Sequence, residues 1–268
     1  MKKAFLIVAI LAVMTTGAAL GQTPAPRQLH AHSQQEADDY NAAFASRGGA
    51  ALEKAADDFS AKYATSELQA SLYVGAMRAY QQEENAGRML MMGAKALSFD
   101  PDNPVALVLT AYVMADNLNA TDRDRGRQVD EIKKNATRAL QTMDAAYIPP
   151  AGATPDQIAA YKAGLRSMAY SALGIAKLKA GDDNGAEKDL KAAAELNRVK
   201  PDPYIWYHLA LAQDHRKQYS AALRSVEQAM QLASSNPELQ RLAEMEHEKL
   251  LGLTGKGPKP PAPVTQPQ

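Results

Sequence analysis

Five histidines and the carboxylates around them are where this 268-residue chain would have to do chemistry. His30 and His32 make a His-x-His pair, but they sit in a proline-punctuated, polar stretch with no third ligand nearby, and a zinc site needs three or four. His208 and His215 are seven residues apart and would share a helix face; with His247 they read as surface histidines. Glu36, Asp38 and Asp39, and again Asp122 and Asp124, lack the spacing and the glycine of a calcium loop. They read as a helix start and a loop tip. No phosphate-cradling glycine loop, nucleophile elbow or zinc-protease helix is present. Helices rich in Asp and Glu bring carboxylates together by chance, so no acid–base pair can be picked out. With no cysteine, disulfides, thiol catalysis, cysteine–zinc sites and lipid attachment through an N-terminal cysteine are excluded. Asn119-Ala120-Thr121 and Asn135-Ala136-Thr137 match a glycosylation acceptor and read as incidental in a bacterial-type chain. The expectation is no catalytic residue, no metal and no cofactor.

Charge narrows the partners. Lys+Arg and Asp+Glu number 30 each, so the clustered basic excess that displaces counterions from nucleic acid is missing. An anionic membrane surface is unsupported for the same reason. The hydrophobic fraction of 46% is a globular value, yet aromatics supply only 6% and alanine is abundant. Alanine loses no side-chain entropy in a helix and lets helices approach closely.

The two ends differ from the middle. Lys2 and Lys3 precede an apolar run from Ala4 to Val13, and Ala19-Leu20-Gly21 places small residues before Gln22. That is the build of a signal peptide over 1–21, cut before Gln22. The alternative is an uncleaved anchor, because the run approaches spanning length if it continues to Leu20. Export to the periplasm or beyond follows from the first reading, with no membrane insertion after cleavage. Residues 22–35 read as a flexible leader, and 252–268, rich in Gly and Pro, as a disordered tail that cannot continue a helix. Everything between reads as helix. Thr154-Pro155-Asp156-Gln157 is a capping box with proline at the first helical position, and Asn103-Pro104 and Asn236-Pro237 repeat the Asn-cap, Pro-first arrangement.

Internal repetition organises the middle. Trp206, Leu209 and Ala210 are followed by Ala222, Val226 and Ala229; Tyr170, Leu173 and Gly174 by Ala186, Leu190 and Ala193. Tyr73, Ala76, Met77 and Tyr80 precede Met89, Gly93, Ala96 and Asp100-Pro101. Met77 to Met89, Gly174 to Ala186 and Ala210 to Ala222 are each 12 residues. The small residues mark where two antiparallel helices cross most closely; at Met77 and Met89 both positions are enlarged, and flexible methionines would absorb a wider crossing. Two weaker units are Tyr40, Ala43, Phe44 with Ala55 and Phe59, and Leu107, Ala111, Met114 with Ile132, Ala136 and Ala139. Ala111 to Ile132 is 21 residues, so nine are inserted, within the polar stretch Asn117 to Arg127. Leu239, Leu242, Ala243 and Leu250 give a last amphipathic helix, a solvating cap.

Tyr170 to Leu196 and Trp206 to Leu232 resemble tetratricopeptide (TPR) repeats, and Tyr73 to Pro101 does so more loosely. Tyr40 to Pro101, with Phe59-Ser60-Ala61-Lys62-Tyr63, is similar to repeats of exported, cell-envelope TPR proteins of bacteria. The resemblance implies an all-α TPR-type solenoid of about five helix pairs plus a C-terminal capping helix. Degenerate units would occupy 36–146 and the regular pair with its cap 154–251; Tyr147 to Ala153, a break, would join two sub-arrays. It further implies a concave groove lined by first helices and used to hold a protein or peptide. The groove positions that correspond are Tyr207, Leu211 and Asp214 in one unit and Ser171, Ile175 and Leu178 in the one before. The alternative for Ile175 and Leu178 is packing against a neighbouring helix. This set lacks the Lys/Asn/Arg group that clamps a C-terminal carboxylate in chaperone-binding TPR domains, so an apolar helix or extended segment fits better. The function expected is a non-catalytic, exported scaffold or adaptor. Other readings are an enzyme accessory subunit, a hydrolase with its site between helices, or a self-assembling structural protein.

Overall fold

The chain is described by a computed structural model covering residues 28–119, 121–150 and 152–255. The expected signal peptide with its cut before Gln22, residues 22–27 of the leader and residues 256–268 of the Pro-rich tail lie outside these residues. Among the described residues there are eleven α-helices and no strand. They are α1 (Gln34–Phe44), α2 (Gly49–Lys62), α3 (Gln69–Gln82), α4 (Ala86–Phe99), α5 (Pro104–Asp116), α6 (Arg125–Ala146), α7 (Pro155–Lys179), α8 (Asp183–Leu196), α9 (Pro203–His215), α10 (Tyr219–Leu232) and α11 (Pro237–Thr254).

The helices begin where the caps require. Thr154 Oγ1 accepts from the Gln157 amide at 3.3 Å, while Gln157 Oε1 accepts from the Thr154 amide at 2.9 Å. Asn103 and Asn236 accept from the amides of Ala106 and Leu239, each at 3.1 Å. These oxygens satisfy amides that have no partner inside their own helix. At the far end α11 runs to Thr254, three residues beyond the expected 251, and closes on Gly255 in the left-handed region at φ 68°. Glycine adopts that conformation without steric cost.

Consecutive helices pair as α1–α2, α3–α4, α5–α6, α7–α8 and α9–α10, and α11 closes the stack against α10. The 12-residue register is the crossing point. A Cβ added at Gly174 would stand 2.6 Å from Leu190 Cγ and 3.3 Å from the Ala186 carbonyl oxygen, so only glycine lets α7 and α8 meet there. Ala210 and Ala222 are both fully buried in the next pair. The same offset recurs in a polar pair on each hairpin: Lys177 Nζ meets Asp189 at 2.6 Å, and Ser225 Oγ donates to Gln213 at 2.7 Å.

In α3–α4 the sizes are exchanged. Met77 and Met89 are buried, and Gly93 occupies the place held by Leu190 and Val226 elsewhere. A Cβ at Gly93 would run into Thr110 Oγ1 of α5 and lie 3.2 Å from Met77 Cε. The Met77 side chain, with Thr110 of α5, thus fills the volume that a larger residue occupies in the regular units. In α1–α2 the fully buried small residue is Ala56 rather than the expected Ala55. Ile132, Ala136, Ala139 and Ala111 are all fully buried, as the long-turn unit requires.

First helices pack on the next first helices (α1 on α3, α3 on α5, α5 on α7, α7 on α9, α9 on α11), whereas successive second helices stand apart. A stack that is close along one rail and splayed along the other bends toward the close rail. The first helices therefore form the inner, concave side. The most extensive contact along this rail is that of α5 with α7.

Among the described residues, apolar packing is continuous across the expected break at 147–153. One apolar cluster runs from Ala43 through Tyr147 and Leu165 to Ala212, and a smaller one holds Ala210, Ala222, Val226, Ala243 and Leu250. The continuity has a cause: α6 and α7 are long, 22 and 25 residues, and run on together past the crossing. Tyr147 stacks on Tyr161 at 5.3 Å, and Asp144 takes Lys162 at 3.2 Å and Arg166 at 2.8 Å. The break is the turn of an extended hairpin. Of the expected leader, residues 28–35 are described. Leu29 and Ala31 pack on the core, the His30 amide donates to Glu67 at 2.8 Å, and α1 starts at Gln34.

Candidate functional site

The six groove positions separate into three groups. Ser171, Ile175 and Leu178 are 1%, 3% and 8% exposed. They lie on α7, which is packed by α5, α6, α8 and α9, so this face is taken up by helix packing, the alternative stated above for Ile175 and Leu178. Asp214 is also buried, and its carboxylate holds Lys249 Nζ of α11 at 2.5 Å. Glu246 approaches the same ammonium at 3.2 Å. Burial works against the Lys249 charge, but the two carboxylates outweigh it and raise the pKa above the ordinary lysine value. Asp214 thus pins the capping helix.

Tyr207 and Leu211 form the third group. They stand one turn apart on α9 and remain half-buried, Tyr207 against the C-terminal core cluster and Leu211 against the main one. Beside them His208 Nδ1 lies 2.8 Å from the Tyr204 carbonyl oxygen. Burial pulls the His208 pKa down to about 4, so at neutral pH it contributes no cation. The side chains that α9 itself leaves open here are aromatic and aliphatic, with Glu246 and Lys249 of α11 near enough to act on Tyr207.

A second part of the inner rail was not singled out by the repeat pattern as a site. Arg78 lies on α3, five residues after Tyr73, as Leu211 lies five after Trp206. Its guanidinium sits over the Tyr161 ring, 5.3 Å from the centroid, and bonds the Tyr161 hydroxyl. Burial lowers its pKa, and among the described residues it has no carboxylate partner. Tyr161 reaches it because α7 extends well before Tyr170, a length legible in the uninterrupted helical pattern after Pro155.

The remaining candidates for chemistry are dispersed. His215 pairs with Asp183 at 2.9 Å, and His247 Nε2 lies 3.6 Å from Glu227. Asp39 takes Lys62 at 2.5 Å and the Tyr63 hydroxyl at 2.6 Å. Those hydrogen bonds, Lys62 foremost, hold its carboxyl at a pKa of about 2. Glu36 accepts from the His32 amide at 2.6 Å in the first turn of α1. Asn135 of the second acceptor pattern is buried. Among the described residues no three His, Cys, Asp or Glu side chains stand together as a metal site, and no helix is long and apolar enough to cross a membrane.

No protein-family model matches the chain, and no curated protein is similar to it in sequence. Among solved structures it is similar to a thermophilic TPR protein of Thermus thermophilus, with 15% identity over 79% of this chain and 98% of that one and a TM-score of 0.46. The pairing, the 12-residue crossing and the close inner rail make the fold of this chain a TPR-type α-solenoid, with five helix pairs and a closing helix among the described residues.

Proposed function

We propose that this chain is a non-catalytic interaction scaffold that holds an apolar segment of another protein on its concave face. The observation that carries the reading is the inner rail itself. Its first helices draw together into one curved face, and on α9 it leaves Tyr207 and Leu211 partly open, side by side and without charge. Aromatic and aliphatic anchors of this kind supply most of the energy where a helix lies in a groove. Arg78 and Tyr161 add a polar contact nearer the N-terminal end of the same rail. The sequence signal at Lys2 to Gly21 supports export, and we assign the scaffold to the cell envelope on that basis.

The test is partner capture from native envelopes by covalent crosslinking to the full chain. Replacing both Tyr207 and Leu211 by alanine should reduce recovery of a stoichiometric partner at least about tenfold, because each removed anchor is typically worth more than about 1 kcal/mol. Circular dichroism should show the variant still helical. Undiminished recovery of every partner would remove α9 from the site.

A further inference from the structure

On the outer side, each first helix from α3 to α9 is flanked by two second helices, and two of these seams can be compared directly. Over α3, between α2 and α4, the seam is closed. Tyr73 donates to Asp57 at 2.8 Å, Lys95 meets the same carboxylate at 2.6 Å, and Phe99 stacks on Tyr73 at 5.7 Å. Arg88 is paired in turn with Glu53 at 3.1 Å.

Over α9, between α8 and α10, the corresponding parts are missing or engaged elsewhere. Trp206 takes the place of Tyr73 at the head of its unit. Glu187 follows the buried Ala186 as Asp57 follows Ala56, but it is held by Lys191 at 2.6 Å and by Arg216. Gln228 precedes Ala229 where Lys95 precedes Ala96. What remains is a groove of about 540 Å³ with Trp206 and Leu209 among its lining and Arg198, Arg224, Lys191 and Glu195 around it. Among the described residues neither Arg198 nor Arg224 has a carboxylate partner, and the Trp206 indole N–H has no acceptor.

We propose that this seam is a second docking site, which takes an acidic segment of a partner protein whose carboxylates meet Arg198 and Arg224. The partner would supply from outside what Asp57 and Glu53 supply within the α2–α4 seam, with an apolar side chain over Trp206. Two free guanidiniums beside an aromatic floor favour a carboxylate-bearing peptide, since guanidinium and carboxylate match in a planar, two-bonded geometry. Lys191 is committed to Glu187, and Glu195 is the one carboxylate at the rim, so the net field of the free rim groups is positive.

Trp206 is the only tryptophan in the chain, so its fluorescence reads this seam directly. The full chain is titrated with a blocked peptide of four glutamates around two leucines, and with the same peptide carrying lysine or glutamine in place of glutamate. The expected result is a saturable change with the acidic peptide alone, weakened by salt as charge contacts are screened. Affinity should fall at least about tenfold in the Arg198→Ala, Arg224→Ala double variant and stay unchanged in Leu211→Ala. No saturable change with the acidic peptide, an equal response to the lysine or glutamine peptide, or an undiminished response in the arginine double variant would each overturn the proposal. Because Leu211 lies on the inner rail, loss of concave binding leaves this result standing, and the reverse.

Discussion

Replacing Gly174 by valine is expected to destabilise the chain by about 3 kcal/mol, at the upper end of what overpacking a close helix contact usually costs. Its Cβ would fall 2.6 Å from Leu190 Cγ and 3.0 Å from Leu190 Cδ2, both movable, but also 3.3 Å from the Ala186 carbonyl oxygen, which belongs to the α8 backbone. Two helices would have to part at their crossing. In a solenoid each unit is held by its neighbours, so the loss should spread to α5–α6 and α9–α10. Urea unfolding followed by helical circular dichroism should show the midpoint falling. Adding Leu190→Ala should recover only part of it, since the carbonyl contact remains. Full recovery would place the crossing elsewhere.

Met77→Ala is expected to cost about 3 kcal/mol, within the range for emptying a buried methionine site. Met77 is fully buried, and Gly93 beside it has no side chain with which to refill the space. Met77→Leu, which nearly conserves volume, should cost less than about 1.5 kcal/mol. The same urea titration distinguishes them. Equal, small losses in both would mean that Met77 does not fill the place of the missing residue at position 93.

The contrast between these two sites shows what could be read before the fold was known. Gly174, Ala186, Ala210 and Ala222 recur at a fixed offset because two helix backbones can approach only over small residues, so the crossing is written locally. The caps at Asn103, Thr154 and Asn236 are equally local, each an oxygen three residues from the amide it satisfies. Ser171 was legible as an inner-rail position but not as a buried one, and for Ile175 and Leu178 the sequence left binding and packing both open. Their burial depends on how closely α5 approaches α7, and that follows from long-range packing of the extended α6–α7 hairpin. Leu118 shows the same limit: it lies in the polar insertion, yet it is fully buried and its carbonyl accepts from Lys179 at 2.5 Å. Arg78 met Tyr161 across 83 residues of sequence. The open seam over Trp206 was invisible for a different reason. It is defined by what Glu187 and Gln228 fail to do, and that appears only beside the filled seam over Tyr73.

Site-specific photo-crosslinking compares the two sides of the solenoid most directly. A photoreactive amino acid is placed at Leu211 on the inner rail or at the exposed Met91 of α4 on the outer one, and the chain is irradiated in its native cells. Concave binding predicts a defined covalent adduct from position 211 and none of the same mass from position 91. An adduct from position 91 with none from position 211 would contradict it.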